Sequence, residues 1–584
     1  MCFEILREKR DETGKGGMGK GRGKKAVRLI PLSQSHPPVL LSHLPAREKD
    51  GIMARPRHAS DELPVRFFVP HSVTCLICGH AAHIAYHTQR TVTTLTERHR
   101  LHLVVRRCIY PECPRYHQPY RPEAEGAWAL PHGEYELDVI ALVGFLRYRR
   151  HQSLAEIHHS LHERRLTIGE RTVLNLLARY EELVAVHMTD RERLQSLVQK
   201  QGSLILAVDG LRPDVGHEVL WVVRDCASGE ILLARPLLSE READLVTLLK
   251  EVQDVLSVPV HGVISDGQHS IRNAVATAFP GIPHQLCHFH YLREAAKPVY
   301  EADRHAKKEL KKRVRGIRPI EREIEQQENE EAAITRKYCL AVRSALTDDG
   351  HPPLSAPGLK LYERLSLIVA SLERVAQKGD LPPPLDKLHR LLTKGIAVTE
   401  ALWSDVQRGY ALVHRAAHIL TNVDHLPSQK MQHQYERLLE EMRYHVFPTD
   451  HLRQMTATFL KVTASYWPGL FHCYDVAEFP RTNNDLEHVF GSTRYHERRA
   501  TGRKQASPGL VVRGSVRVVA AVATQNNHFS GSDLAPCDLA QWRMLRKQVE
   551  YRHEARREQH RFRKNPEHYL LALEEQLSQR TMRS

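Results

Sequence analysis

The chain has 584 residues, 41% of them hydrophobic, with a formal net charge of +15. That length exceeds what a single core supports and predicts three or four folded units, while the absence of any run of about eighteen uninterrupted apolar residues argues against a membrane span. The Lys/Gly-rich start carries no apolar signal core, ten cysteines are too sparse for a secreted disulfide framework, and the basic field favours polyanionic partners.

In chain order, residues 1–64 show no sustained period of 2 or 3.6 and are expected to be a disordered basic N-terminus. The stretch opening Met53-Ala54-Arg55-Pro56 resembles a natural protein start, so the true start is expected at Met53. Residues 65–130 carry Cys75, Cys78, Cys108 and Cys113 as two short hairpin pairs flanking a sequence that alternates like a β-hairpin. This is the plan of a zinc ribbon in which four thiolates close a tetrahedral site around one structural Zn²⁺. His80, His83 and His117 are each placed to replace one thiolate.

Residues 131–200 predict three helices. The first, Tyr135–Arg147, has Leu137, Ile140, Val143 and Leu146 at helical spacing. The second opens on a capping box, Ser153 with Glu156, and buries Leu154, Ile157 and Leu161. The third starts near Glu170 with Val173, Leu174, Leu177 and Leu183 inward, and Gly169 before it suggests a helix-turn-helix whose Arg171, Asn175 and Arg179 face bases; a generic three-helix bundle is the alternative.

Over residues 201–300 the period changes to that of strands: "SLILAVDG", "VLWVVRDC" and "EILLARPL", then a helix from a second capping box at Ser239 and Glu242, the strand "PVHGVIS" and another helix. In this α/β order the first and fourth strands can lie side by side, bringing Asp209 and Asp266 together. Residues 301–475 are helical, with prolines at 352–353 and 382–384 as punctuation and a basic run (Lys307 to Arg315) passing into an acidic one (Glu321 to Glu331). Residues 476–530 carry Glu487 in a polar run before another helix and group with residues 201–300, and residues 531–584 form a charged C-terminal helix, read either as a solvated tail or as an arm along DNA.

Asp209, Asp266 and Glu487 are hard-oxygen donors flanked by Gly210, Gly267, Asn483 and Asn484, small or polar neighbours that let metal and phosphate approach. Converged, they could hold two divalent ions about 4 Å apart for phosphoryl transfer on nucleic acid. Asp485 and Glu478 are sequence neighbours able to take the place of Glu487.

The order of strands and carboxylates, with "VISDGQHSIRNAV", "HQLCHFHYLREAAK" and "RTNNDLEHVFGSTRYHERRATG", resembles the DDE transposases of prokaryotic insertion sequences and their Mutator-like relatives over about residues 70–515. The resemblance implies a multidomain α/β protein: a ribonuclease H-like catalytic domain interrupted by an all-helical insertion and preceded by a zinc ribbon and a helix-turn-helix. It implies an Mg²⁺- or Mn²⁺-dependent polynucleotidyl transferase, two ions per site, with Asp209, Asp266 and Glu487 catalytic and Cys287 with His290 as an auxiliary motif. That pair either joins other ligands on zinc or packs locally. Expected partners are double-stranded DNA, as terminal inverted repeats and target, and further copies of the chain in a dimer or larger complex. The expected location is a prokaryotic cytoplasm, associated with the nucleoid. A transposase-derived DNA-binding regulator without catalysis is the alternative.

Overall fold

The computed structural model describes residues 63–584 apart from 213–217, 257, 348, 351, 446, 502–510, 536–538 and 582–584. The expectations for residues 1–62, including the start at Met53, lie outside the described residues. Val65–Ser584 fold as one unit.

Strands β1 (Val65–Phe68), β2 (Ala82–Thr93), β3 (Arg98–Cys108) and β4 (Pro119–Tyr120) form a small sheet centred on β3, with β1 parallel to it and β2 and β4 antiparallel. Every second residue of β3 from His99 to Val105 is buried, the period-2 pattern of a strand with one covered face. The apolar core beneath is only Val92, Leu101, Leu103 and Ala129, the last just beyond the short helix α1 (Glu123–Trp128).

Four helices follow: α2 (Leu137–Tyr148), α3 (Leu154–Glu163), α4 (Glu170–Met188) and α5 (Arg191–Gln201). The capping box that starts α3 is formed on both sides: Glu156 N–H donates to Ser153 Oγ at 3.3 Å, and Ser153 N–H to Glu156 Oε2 at 2.6 Å.

A second sheet contains β5 (Leu204–Leu211), β6 (Val219–Asp225), β7 (Ile231–Leu237), β8 (Val260–Ser265) and β9 (His284–Leu286) in the order β7-β6-β5-β8-β9. The first three are antiparallel neighbours, and β8 runs parallel to β5, with Ala207 opposite Ile264. Helices α6 (Glu242–Leu256), α7 (His269–Ala278) and α8 (His288–Ala295) alternate with these strands. The three-residue β9 is too short to show a sequence period. At the start of α6, Ser239 Oγ accepts from Arg241 N–H at 3.0 Å, so the expected capping box is instead a local turn and the helix begins at Glu242.

The two faces of β5 go to two cores. Leu204, Leu206 and Val208 pack with α5, α6 and α7. Ile205, Ala207 and Leu211 pack with α2, α4 and residues of the C-terminal helices α16 (Asn484–Thr501), α17 (Gly514–Asn526) and α18 (Leu539–Lys564). Because α2 and α4 pack on α17, which lies against β7, residues 131–200 share the core of the central unit. That packing corrects two details of the helix-turn-helix expectation. Leu174 is 44% exposed while Leu176 is buried, since α17 and α18 determine which side of α4 is covered. Arg179 pairs with Glu182 and lies 6.0 Å from the Trp542 ring of α18, so it is turned toward protein rather than free to read bases. Arg171 and Asn175 are exposed.

Between α8 and α16 the chain is helical among the described residues: α9 (Lys297–Arg313), α10 (Ile317–Ile324), α11 (Glu330–Thr347), α12 (Pro357–Ala376), α13 (Pro383–Thr421), α14 (Ser428–Tyr444) and α15 (Asp450–Tyr466), with short 3-10 turns. The 39-residue α13 joins one core around Leu310, Leu388 and Trp403 to another around Tyr291, Tyr435 and Phe459. The C-terminal segment is two helices rather than one: α18 ends at Lys564, and α19 (Pro566–Thr581) restarts where Pro566 cannot donate to the preceding turn.

Candidate active site and metal centre

In the small sheet, two tight turns present the four cysteines. Gly79 takes φ +73°, a left-handed conformation natural to glycine, and its N–H closes the first turn on the Cys75 carbonyl at 2.9 Å. Sulfur atoms of Cys75 and Cys113 are 3.8 Å apart and those of Cys78 and Cys108 3.6 Å, with all four within 4.8 Å of one another. A disulfide would need about 2 Å, whereas the edge of a tetrahedron with metal–sulfur bonds of about 2.3 Å is about 3.8 Å. The four thiols therefore fit zinc. Backbone N–H groups of Cys78 and Ile77 pull the Cys75 thiol down to about 6, while burial pushes Cys113 up to about 12. His80 stacks on Tyr110, and neither it nor His83 or His117 joins the cluster.

Asp209 and Asp266 lie at the C-terminal ends of β5 and β8, and Glu487 on α16 is near enough for its charge to act on Asp209. Asp209, only 8% exposed, continues the odd-numbered face of β5, and Leu486, Val489 and Phe490 of α16 pack into the core on that same face. Burial, the neighbouring Asp266 and the more distant Glu487 raise the Asp209 carboxyl to about 7, against the Gly210 N–H at 2.7 Å and His290, which favour the charged form. Asp266 follows β8 and accepts from Gln268 N–H at 3.0 Å, at the start of α7.

That turn is tightly built. Gly267 sits at φ +89°, and a Cβ there would lie 2.7 Å from the Tyr466 ring. The Tyr466 hydroxyl, from the end of α15, lies between the Asp266 carbonyl at 3.0 Å and the Glu294 carboxylate at 2.9 Å. Arg272 donates to the Gly267 carbonyl at 2.7 Å and stacks over Tyr466.

Asn483 and Cys287 bring α16 to the sheet. Asn483 Nδ2 donates to the Val208 carbonyl at 3.2 Å, its backbone N–H points to the Cys287 sulfur at 3.3 Å, and Cys287 N–H donates to the Ser265 carbonyl at 2.8 Å. Glu487 Oε1 is 3.0 Å from His290 Nε2. Burial would raise Glu487, but the hydrogen bond and charge of His290, with Arg293 and Arg494, hold it below its ordinary value. Burial opposes the charged form of His290 as well, yet the fields of Cys287 and Glu487 raise it to about 10.

Asp485 instead pairs with Arg224 at 2.9 Å and is 75% exposed, and Glu478 is exposed. Glu487 is thus the acidic residue of that run whose charge reaches Asp209. Among the described residues the four thiols alone form a ready ligand cluster, since the carboxylates are spaced more widely. Asp266 and Glu487 oppose ionisation of Asp209, and a cation among them would relieve that cost. Their oxygen chemistry fits a hard divalent ion.

A cleft of about 640 Å³ opens beside Asp266 and His290, with Arg212, Arg272, Arg293 and Lys297 on its walls. Tyr466 and Arg272 have no sequence signal: one ends α15, the other is an ordinary helical arginine, and only folding brings them to Asp266.

Residues 221–294 match the MULE transposase domain family. The matched segment runs from β6 to α8 and contains Asp266, Cys287 and His290, while Asp209 and Glu487 lie outside it. The match supports a Mutator-like transposase, a family that implies binding of DNA and use of a divalent metal. No curated protein matches the chain. No helix among the described residues is long and apolar enough to cross a membrane.

Proposed function

We propose that this protein is a DDE-type DNA transposase whose central unit is a ribonuclease H-like catalytic core with a helical insertion over about 301–475. It binds transposon ends, cleaves them and transfers the strand to target DNA. The observation that carries the proposal is the convergence of Asp209, Asp266 and Glu487 from three distant parts of the chain onto one end of β5 and β8. Asp209, Asp266 and Glu487 would together hold two Mg²⁺ or Mn²⁺ ions. Bound, such ions supply activation of an attacking oxygen and charge neutralisation on the leaving one.

The chain's own residues do the positioning. Asn483 and Cys287 hold the start of α16 on the sheet, and His290 orients Glu487. Tyr466 and Arg272 fix the turn that presents Asp266, and the basic walls of the cleft accept phosphates. In the first step water attacks a phosphodiester, leaving a 3′-hydroxyl and a 5′-phosphate. In the second that hydroxyl attacks a target phosphodiester, forming one bond and releasing one target 3′-oxygen, so no serine or tyrosine nucleophile is needed.

The four-cysteine module, holding one Zn²⁺, and the exposed Arg171 and Asn175 contribute to end recognition. Processing of two ends favours a dimer or larger complex, acting on DNA in a prokaryotic nucleoid. The test is purified protein with duplex DNA bearing the element's ends and Mg²⁺ or Mn²⁺. Strand joining is expected; binding without cleavage would overturn the proposal in favour of a regulator.

A further inference from the structure

The basic run that opens the helical region has a place in the fold that sequence could not give it. Arg293 and Lys297 are on the wall of the carboxylate cleft, and α9 leaves from that point. Along it and the 3-10 turn Val314–Gly316 that continues it, Lys297, Arg304, Lys308 and Arg315 are exposed and Lys311 half-buried, at spacings of seven, four, three and four that keep one helical face. None of these cations forms an ion pair among the described residues. From Lys297 to Arg315 the stripe extends about 27 Å at 1.5 Å per residue.

The acidic run that follows is used differently. Glu323 pairs with Lys387 of α13 at 2.8 Å and Glu321 with Arg343 of α11. Folding thus pairs Glu321 and Glu323 inside the helical body and, in the basic run, Lys307 with Asp349 and Lys312 with Glu309, while the stripe itself forms no ion pair among the described residues. Lys311 also sits below its ordinary value, through burial and the charge of Lys307, which outweigh the opposing charge of Asp349.

We propose that this face of α9 is a track for the backbone of duplex DNA, carrying the duplex away from the carboxylate cleft. It deepens the transposase reading and rests on it. About 27 Å of B-form duplex is about eight base pairs, and one strand presents a phosphate every 3.4 Å or so, enough to meet each cation of the stripe. Such contacts neutralise charge without reading bases, so the track serves flanking and target DNA of any sequence. Glu301 is the one exposed acid on the same face.

The experiment is fluorescence anisotropy with a 30-base-pair duplex of arbitrary sequence over a salt series, using the full chain. The triple variant Arg304→Gln, Lys308→Gln, Arg315→Gln should lower the slope of log affinity against log salt by about 2.7, three contacts at about 0.9 each. Glu301→Gln should tighten binding by about twofold to fivefold, a gain that misfolding cannot imitate. Wild-type slope and affinity in both variants would overturn the track while leaving the transposase reading intact. Calorimetric titration with Mn²⁺ separates the two: if duplex binding shows the expected slopes but Asp209→Asn leaves ion uptake unchanged, the track stands and the catalytic reading falls. A wild-type chain that binds no duplex overturns both.

Discussion

The four-cysteine module and the carboxylate site are two metal centres built by opposite routes. The first has four thiols already at metal-bridged spacing over an apolar core of four residues, so its ligands are a large part of what defines the fold. The second has ligands held by a large two-sided core, by Asn483 and by the Tyr466 clamp, and its carboxylates repel one another. A metal completes the first as structure. In the second it would complete the chemistry.

Removing zinc is the strongest way to break that contrast. Chelation, or Cys75→Ser, should unfold the cysteine module, because structural zinc of this kind contributes on the order of 10 kcal/mol. Proteolysis or amide exchange should show protection lost over residues 65–121 and kept in β5 and β8. Unfolding of both together would erase the distinction.

Asp266→Asn should lower strand cleavage by about a thousandfold, the several kcal/mol a ligating carboxylate contributes through its ion, measured on end-bearing duplex with Mg²⁺. Binding of the duplex should change little. The melting temperature should hold too, since packing rather than metal keeps this site.

Gly267→Ala should cost about 3 kcal/mol of stability, from the left-handed backbone and the clash with Tyr466, and should weaken cleavage as the Asp266 turn shifts. Denaturant melts check it. An Ala variant as stable and active as the parent would show that the clamp does not position Asp266.

The smallest effect is on pH. Asp209 carries its proton up to about 7, so divalent-ion affinity should rise about tenfold per pH unit below 7 and level off above it. A carboxyl raised on folding contributes stability that is full below its ordinary range near 4 and is lost as pH rises through 7. Asp209→Asn should therefore flatten the ion-binding profile and make the protein more stable than the parent at pH 8, by Mn²⁺ calorimetry and thermal melts respectively.

Much of the architecture was legible locally. The capping box at Ser153, the short apolar runs of β5, β6 and β8 and the paired cysteines each advertise a structure whose cause lies within a few residues. Where a feature depends on what packs against it, local signal failed. Leu174 and Arg179 were misassigned because α17 and α18, more than three hundred residues later, choose the buried face of α4. The one-helix reading of the C-terminus passed over the consequence of Pro566.

The residue types and their order determined the donor chemistry: thiolates at close spacing for a soft metal, carboxylates at strand ends for a hard one. Which acid of "RTNNDLEH" faces Asp209, what holds Asp266 and which charges of a charge run find partners were decided only by tertiary structure. Those outcomes depend on contacts between segments hundreds of residues apart, and a side chain's charge or hydrogen bond is set by its neighbours in space, not in sequence.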